Sequence, residues 1–320
     1  MNNLTVVMYH YVRNLKNSRY PNIKGLELSL YEEQLKFLKK HYVPVTMNDV
    51  LNCFYNNEVL PNKAVLLTFD DAYLDHFINA YPLLKKYNMQ GSFYTPAKVI
   101  EEGELLDVNK IHFILASNVS EKTIINDIKS IFLNLKKYYE VKSFDEYYTE
   151  LAIPNRFDTA GVIFIKRLLQ VALPIKMRNE ICNILFERYI GMDESAFSKE
   201  LYMDKNHLAH LISDGMHVGS HGYDHFWWNK LKHKELELEI DKSLTFLKSV
   251  GSDITNWTAC YPYGSCSSDV VSYLKSKGCK LAFTTEPNTV NVEKINPLLL
   301  PRLDTNDLPK KADAEPNEWY

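Results

Sequence analysis

The chain has 320 residues, of which 46% are hydrophobic and 24% are charged, with a formal net charge of -3 and a pI near 6.4. This composition excludes a disordered or fibrous protein and is typical of a globular chain that can bury one large core. The weakly acidic balance argues against a nucleic-acid-binding protein, because phosphate contacts need a concentrated basic surface.

Strand and helix patterns alternate through the first hundred residues. The apolar run 4–9 predicts the first strand, and the alternation then continues with a helix at 31–42, a short strand at 43–45, a helix at 47–55, a strand at 64–69, a helix at 77–87 and a strand at 91–94. This order predicts a parallel sheet with right-handed crossovers.

Between residues 101 and 203 the alternation stops, and helical spacing dominates at 122–139, 161–171 and 175–189. Beyond residue 204 the alternation resumes, with helices at 205–213, 231–250 and 269–277 and strands at 216–220, 257–261, 280–284 and 298–302. We therefore expect one domain over residues 1–320 that carries a helical insertion at 101–203.

Two adjacent acids, Asp70 and Asp71, follow the apolar strand 64–69 directly. Burying an unpaired carboxylate costs several kcal/mol, so a metal, a cation or a reaction is the expected reason for the pair. Adjacent residues of an extended chain point in different directions, which suggests that one acid binds a metal while the other is free to act as a base.

Two histidines, His221 and His225, lie four residues apart after another strand-like run. This spacing places both imidazoles on one side of a turn, within reach of one ion. One aspartate and two histidines leave open positions for water and substrate, which is typical of a catalytic metal site. The alternative is that they are unrelated loop or core histidines.

At these residues the sequence resembles the polysaccharide deacetylase family, also called carbohydrate esterase family 4. The three motifs that carry the resemblance are residues 68–71 (Thr-Phe-Asp-Asp), residues 221–225 (His-Gly-Tyr-Asp-His) and residues 261–264 (Tyr-Pro-Tyr-Gly), and they occur in the family's order. The resemblance implies a distorted (β/α) barrel of about seven strands. Its active site is expected at the C-terminal ends of the strands.

The resemblance also implies roles for single residues. Asp70 is expected to be the general base, and Asp71, His221 and His225 are expected to bind Zn²⁺, with Co²⁺, Ni²⁺ or Mn²⁺ as alternatives. The backbone N–H of Tyr263 is expected to stabilise the oxyanion.

Two positions depart from the family pattern. Cys260 stands where many members carry an arginine that fixes the base, and Arg302 is the candidate to replace it, since a guanidinium binds a carboxylate through two hydrogen bonds. A surface ion pair is the alternative role for Arg302. The family's C-terminal histidine is also missing, and His10 at the end of the first strand is the candidate general acid, or else a supporting histidine of the barrel mouth.

The substrate is expected to contact aromatic side chains beside the second histidine. Trp227 and Trp228 are the expected pocket wall, and Tyr261 and Pro262 of the third motif complete the predicted substrate-binding residues.

The resulting hypothesis is a metal-dependent hydrolase that removes an N-acetyl group from an amino sugar in a glycan or glycolipid pathway. An amidase or deformylase acting on a non-polymeric substrate is the first alternative, and a carbohydrate-binding barrel with weakened catalysis is the second. A signal peptide and an apolar stretch long enough to cross a bilayer are both absent from the sequence, and the five cysteines show no paired spacing, so a cytoplasmic location is expected. No nucleic-acid partner is expected.

Overall fold

The structure is a computed structural model that describes residues 3–320, and it is built around one large sheet. The strands are β1 (Asn3–Tyr9), β2 (Val12–Arg13), β3 (Leu26–Glu27), β4 (Val43–Pro44), β5 (Ala64–Asp70), β6 (Gly91–Thr95), β7 (His217–Ser220), β8 (Thr258–Cys260), β9 (Leu281–Phe283), β10 (Val290–Asn291) and β11 (Leu303–Asp304).

The sheet is curled, and seven of its strands form the path β10-β1-β5-β6-β7-β8-β9. All neighbours along this path are parallel except β10, which runs antiparallel to β1. Strands β4 and β11 add parallel pairs to β5 and β1, and β2 pairs with β3 in a separate small sheet. The predicted α/β class and the distorted barrel are therefore confirmed.

The α-helices connect these strands and form most of the segment between β6 and β7. They are α1 (Leu28–His41), α2 (Met47–Tyr55), α3 (Tyr81–Tyr87), α4 (Lys98–Glu101), α5 (Asp107–Leu115), α6 (Glu121–Leu135), α7 (Phe144–Leu151), α8 (Ala160–Arg167), α9 (Ile175–Tyr189), α10 (Glu194–Leu201), α11 (Lys205–Ser213), α12 (His233–Ser249) and α13 (Ser268–Ser276). Shorter helical turns are π-helical at His76–Ala80 and Leu168–Ala172, and 3-10 at Lys136–Tyr138, Trp228–Lys230 and Pro262–Gly264.

Alternate residues of β5 enter two different cores, as the two-residue period of a strand requires. Leu66 packs with residues of β1, β8 and β9, whereas Leu67 and Phe69 pack in a second core that includes the inward face of α1. Asp70 continues the series of Leu66 and Thr68. Its carboxylate is therefore directed toward the inside of the curled sheet, where Arg302 and Cys260 also lie.

Two compact units make up the chain. One contains the described residues up to Asn14 together with Gly25–Gly103 and Lys199–Tyr320, and it holds the sheet. The other contains Leu15–Lys24 and Glu104–Ser198 and is helical. The helical unit begins and ends within a few residues of the expected insertion at 101–203, but it also includes the loop 15–24, which the sequence pattern did not connect with it.

One predicted element is wrong. Residues 298–302 do not form a strand, since their only sheet contact in the described chain is a single bridge from Leu300 to Phe283. The terminal parallel pairing instead involves β11, which begins one residue after Arg302. Among residues 3–320, no helix is both long and apolar enough to cross a membrane, and the expected cellular location stays a prediction.

Candidate active site

Three ligand atoms converge at the C-terminal ends of β5 and β7. Asp71 Oδ1 lies 3.4 Å from His221 Nε2 and 3.3 Å from His225 Nε2, and the two Nε2 atoms are 3.2 Å apart. All three residues are buried. The structure thus brings together the three residues that were expected to bind a metal.

Backbone geometry at this point is unusual, because both β5 and the histidine loop turn sharply. Asp71, Ala72 and His225 all adopt left-handed φ angles, of 77°, 54° and 58°. Side chains with a Cβ rarely adopt this conformation, and such residues persist only where the surroundings hold them there. The turn at Asp71 is what directs its carboxylate away from that of its neighbour Asp70.

Hydrogen bonds orient the ligands. His221 Nδ1 lies 2.8 Å from the carbonyl oxygen of Cys260, which can only accept, so Nδ1 carries the proton and Nε2 presents a lone pair. The other carboxylate oxygen of Asp71 accepts a hydrogen bond from the Tyr73 hydroxyl at 2.7 Å. The remaining oxygen of Asp71, Oδ1, is directed at the two imidazoles.

This arrangement fits a divalent cation. Ligands bound tetrahedrally at about 2.1 Å lie about 3.4 Å apart, which is close to the three observed separations. Two imidazole nitrogens and a carboxylate oxygen are also the donors that zinc and related ions prefer. Without a cation, acceptor atoms this close together repel each other.

Asp70 is held by Arg302. The guanidinium donates from Nη1 to Oδ1 at 2.9 Å and from Nη2 to Oδ2 at 2.7 Å, and both side chains are almost completely buried. Burial alone raises the pKa of Asp70, but the charge and the hydrogen bonds of Arg302 outweigh it and hold that pKa well below its usual range. Asp70 is therefore an anion that can still accept a further hydrogen bond.

Arg302 is also fixed by its other contacts. Its Nε donates to the carbonyl oxygen of Thr284 at 2.9 Å, and Nη1 lies 3.2 Å from Thr68 Oγ1 and 3.1 Å from Cys260 Sγ. The small side chain at Cys260 thus leaves space for the guanidinium of Arg302, which lies 42 positions later in the chain. The two-bond contact with Asp70 matches the sequence expectation, and the alternative of a surface ion pair is wrong because Arg302 has no exposed surface.

His10 lies at the end of β1, next to the site. It lies close enough to Asp70 and Asp71 to interact electrostatically with both carboxylates. Its carbonyl oxygen accepts a hydrogen bond from Nε2 of His76 at 2.8 Å, which fixes the backbone there. His10 is partly exposed, and its role as general acid stays a prediction.

The predicted substrate-binding residues separate into two groups. The ring of Trp227 stacks on Tyr263 with centroids 4.9 Å apart, and the Tyr263 ring lies 4.6 Å from that of His225. Both rings are partly exposed beside the metal ligands. Tyr263 adopts a left-handed φ of 58°, so the turn that carries it is also tightly shaped.

The expected substrate contacts of Trp228, Tyr261 and Pro262 are wrong. Trp228 and Tyr261 have no exposed surface and pack against each other, and the Tyr261 hydroxyl donates to the carbonyl oxygen of Leu298 at 2.7 Å. Pro262 is also buried. These three side chains are packed in the protein interior around the third motif and present almost no surface to a ligand.

Sequence reasoning gave neither Tyr73 nor Glu239 a role beside the three residues expected to bind a metal. Tyr73 is fully buried and donates to Asp71. Glu239 is a buried carboxylate on α12 that contacts the histidine loop. Its only sequence signal is its place among the apolar positions of that helix, next to Ile240.

The sequence profile of the polysaccharide deacetylase family matches residues 57–112 and 183–282. The two matched blocks contain Asp70, Asp71, His221 and His225, and the gap between them falls in the helical unit. The chain contains a polysaccharide deacetylase domain.

Similar proteins agree with this assignment. A 98-residue segment is 31% identical to YxkH of Bacillus subtilis (strain 168), a protein named as a polysaccharide deacetylase, and the match covers 30% of this chain and 33% of that relative. The Streptococcus pyogenes deacetylase PplD, solved in complex with acetate, superposes with a TM-score of 0.58 at 16% identity over 94% of this chain and 92% of that one. IcaB from Ammonifex degensii gives 0.56 at 17% identity, with 95% and 92% covered. These structural likenesses show that this chain shares their fold.

Proposed function

We propose that this protein is a metal-dependent hydrolase that removes an N-acetyl group from an amino sugar of a glycan or glycolipid. The observation that carries the proposal is the convergence of Asp71, His221 and His225 within 3.4 Å of one another, next to the buried Asp70–Arg302 pair. The polysaccharide deacetylase domain supports the reaction class, and the donor set supports zinc as the metal.

Asp71, His221 and His225 would hold a divalent cation, which would lower the pKa of a water molecule and polarise the acyl carbonyl. Asp70 accepts the proton of the attacking water, a role that suits a carboxylate which stays ionised throughout the physiological pH range. Arg302 occupies one lone pair on each oxygen of Asp70 and so fixes the direction of the remaining ones.

The C–N bond breaks after the water oxygen has bonded to the acyl carbon. The backbone N–H of Tyr263 donates to the oxyanion that forms on the carbonyl oxygen. His10 donates a proton to the departing nitrogen, so that the products are acetate and a free amine.

The sugar ring is proposed to bind against Trp227 and Tyr263. Their stacked rings lie beside His225 and offer an apolar face, while the polar groups of a sugar stay available to water.

The test is acetate release from a panel of N-acetylated sugars that includes nucleotide- and lipid-linked forms. The protein is stripped with a chelator and then reconstituted with Zn²⁺ or Co²⁺. We expect release only after reconstitution. We expect Asp71→Asn to lose both cation and turnover, whereas Asp70→Asn keeps the cation and loses turnover. Cation binding without acetate release from any sugar would favour a different amide substrate, and near-normal turnover in Asp70→Asn would refute its assignment as base.

A further inference from the structure

Glu239, on α12, is a buried carboxylate that has no cationic partner in the described part of the chain. Glu239 is only 3% exposed. Burial raises the pKa of this carboxyl to about 7, although the hydrogen bonds that it accepts from backbone N–H groups lower the pKa. A carboxyl group buried without a cation is costly, so a specific set of contacts is expected to retain it.

The backbone N–H groups that donate to this carboxylate all belong to the loop that joins the two histidine ligands. Oε1 of Glu239 accepts the backbone N–H of Tyr223 at 2.9 Å and that of Asp224 at 3.0 Å, and Oε2 lies 3.1 Å from the same Asp224 nitrogen. Tyr223 and Asp224 lie between His221 and His225, so one side chain fixes the middle of the loop.

The opposite side of the loop is held by the start of α4. The backbone N–H groups of Ala97 and Lys98 donate to the carbonyl oxygens of Gly222 and Tyr223, both at 3.1 Å. The Lys98 ammonium also pairs with Asp224 Oδ1 at 2.7 Å. The loop therefore has its carbonyl groups bound on one side and its N–H groups bound on the other.

Gly222 supplies an independent steric observation. Its φ is +79°, and a Cβ placed on it lies 2.6 Å from Oε1 of Glu239. The loop thus passes so close to the carboxylate that no side chain fits between them. Glycine at 222 and glutamate at 239 are matched to each other.

We propose that Glu239 is a positioning residue for the metal site. By accepting the N–H groups of Tyr223 and Asp224 it holds the loop so that both imidazoles are directed at Asp71 before a cation binds. The inference rests on the proposed metal site and adds a residue that contacts the ligand loop and not the cation. The proposed role depends on the length of the Glu239 side chain and on its acceptor oxygen, not on its charge.

Two conservative variants separate reach from charge. Glu239→Gln keeps the length of the side chain and one oxygen that accepts both N–H groups, but it removes the charge. Glu239→Asp keeps the charge, but it is one methylene too short to reach the loop. Leu236→Ala is the matched control, because Leu236 is buried on the same helix and its apolar side chain cannot accept the N–H groups of the loop.

Co²⁺ affinity of the chelator-stripped proteins is measured by absorbance titration, and amide hydrogen exchange at residues 223 and 224 is measured in the metal-free state. We expect Glu239→Asp to bind Co²⁺ about tenfold more weakly than the wild type and Glu239→Gln to stay within about threefold of it. Leu236→Ala is expected to lose stability but to keep its affinity within about twofold. The two amides should exchange faster only in the Asp variant.

Wild-type affinity and amide protection in Glu239→Asp would overturn the inference. So would a larger loss of affinity in the Gln variant than in the Asp variant, since charge would then be the property that matters. A loss in Leu236→Ala equal to that in Glu239→Asp would also overturn it, because general destabilisation would explain both. A wild-type protein that binds no Co²⁺ would instead refute the proposed metal site itself.

Discussion

Replacing Arg302 by methionine removes the only cation that contacts the buried Asp70 carboxylate in the described structure, while the length of the side chain is roughly kept. The variant loses both bonds to Asp70, at 2.9 and 2.7 Å, and also the contacts with Thr68, Cys260 and the carbonyl oxygen of Thr284. Removing one partner of a buried ion pair costs about 3–5 kcal/mol, because a charge is left without compensation. Solvent does not screen this pair, since Arg302 is 0% and Asp70 1% exposed.

The magnitude is tested by a double-mutant cycle of Arg302→Met and Asp70→Asn. Each single variant leaves one buried group unpaired, whereas the double variant leaves no charge. We expect the double variant to lose less stability than the sum of the single variants, with a coupling free energy of about 2–3 kcal/mol. Free energies of unfolding come from urea denaturation of the metal-free protein at pH 7, followed by both circular dichroism and tryptophan fluorescence because the chain has two units.

The control is Lys36→Met, which removes an exposed ion pair to Glu33. Its urea midpoint should stay at the wild-type value, because exposed pairs contribute little. Additive losses in the cycle, or an Arg302→Met midpoint equal to that of Lys36→Met, would refute the reasoning about the buried pair.

Three further predictions concern other parts of the site. Tyr73→Phe removes the hydrogen bond to Asp71 and should weaken Co²⁺ binding about tenfold in a titration; unchanged affinity would contradict that role. Burial lowers the pKa of His76 from 6.5 to about 4, so the unfolded chain takes up the proton first, and stability is lost as the pH falls from about 6.5 to 4, by up to about 3 kcal/mol. His76→Phe should therefore flatten the dependence of the urea midpoint on pH in this range, and an equally steep curve would contradict it. Trp227→Ala should raise KM for the sugar with little change in Tm, whereas Trp228→Ala should lower stability by about 3–5 kcal/mol; the reverse pattern would show that the two rings have been assigned wrongly.

The ligand residues could be located from the sequence because each follows a short apolar strand, and parallel strands bring their C-terminal ends together. The same logic places His10 near the site. It could not separate Trp227 from Trp228, because both follow His225 in a loop without a regular period. Only the packing of Trp228 on Tyr261 shows that one ring faces the core and the other faces the site.

Arg302 was singled out because Cys260 stands where the resemblance implies an arginine beside Asp70, and because the run 298–302 was expected to be the next strand. The strand predicted to carry it is absent, since the apolar run 298–302 fills the core without forming a ladder. Glu239 shows the opposite difficulty. Helical spacing indicates that position 239 is buried, but nothing in the local sequence shows that its partners are backbone groups about 15 residues earlier in the chain.

The pairing of Asp70 with Arg302 joins residues 232 positions apart. At a synthesis rate of about 5–20 residues per second, the aspartate is added to the chain roughly 12–46 s before its partner. All three proposed metal ligands have been translated by residue 225. Because the sheet cannot close over an unpaired carboxylate without a penalty, completion of the barrel interior has to wait until residue 302 has been made. The order of synthesis thereby separates assembly of the proposed metal ligands from assembly of the buried ion pair beside them.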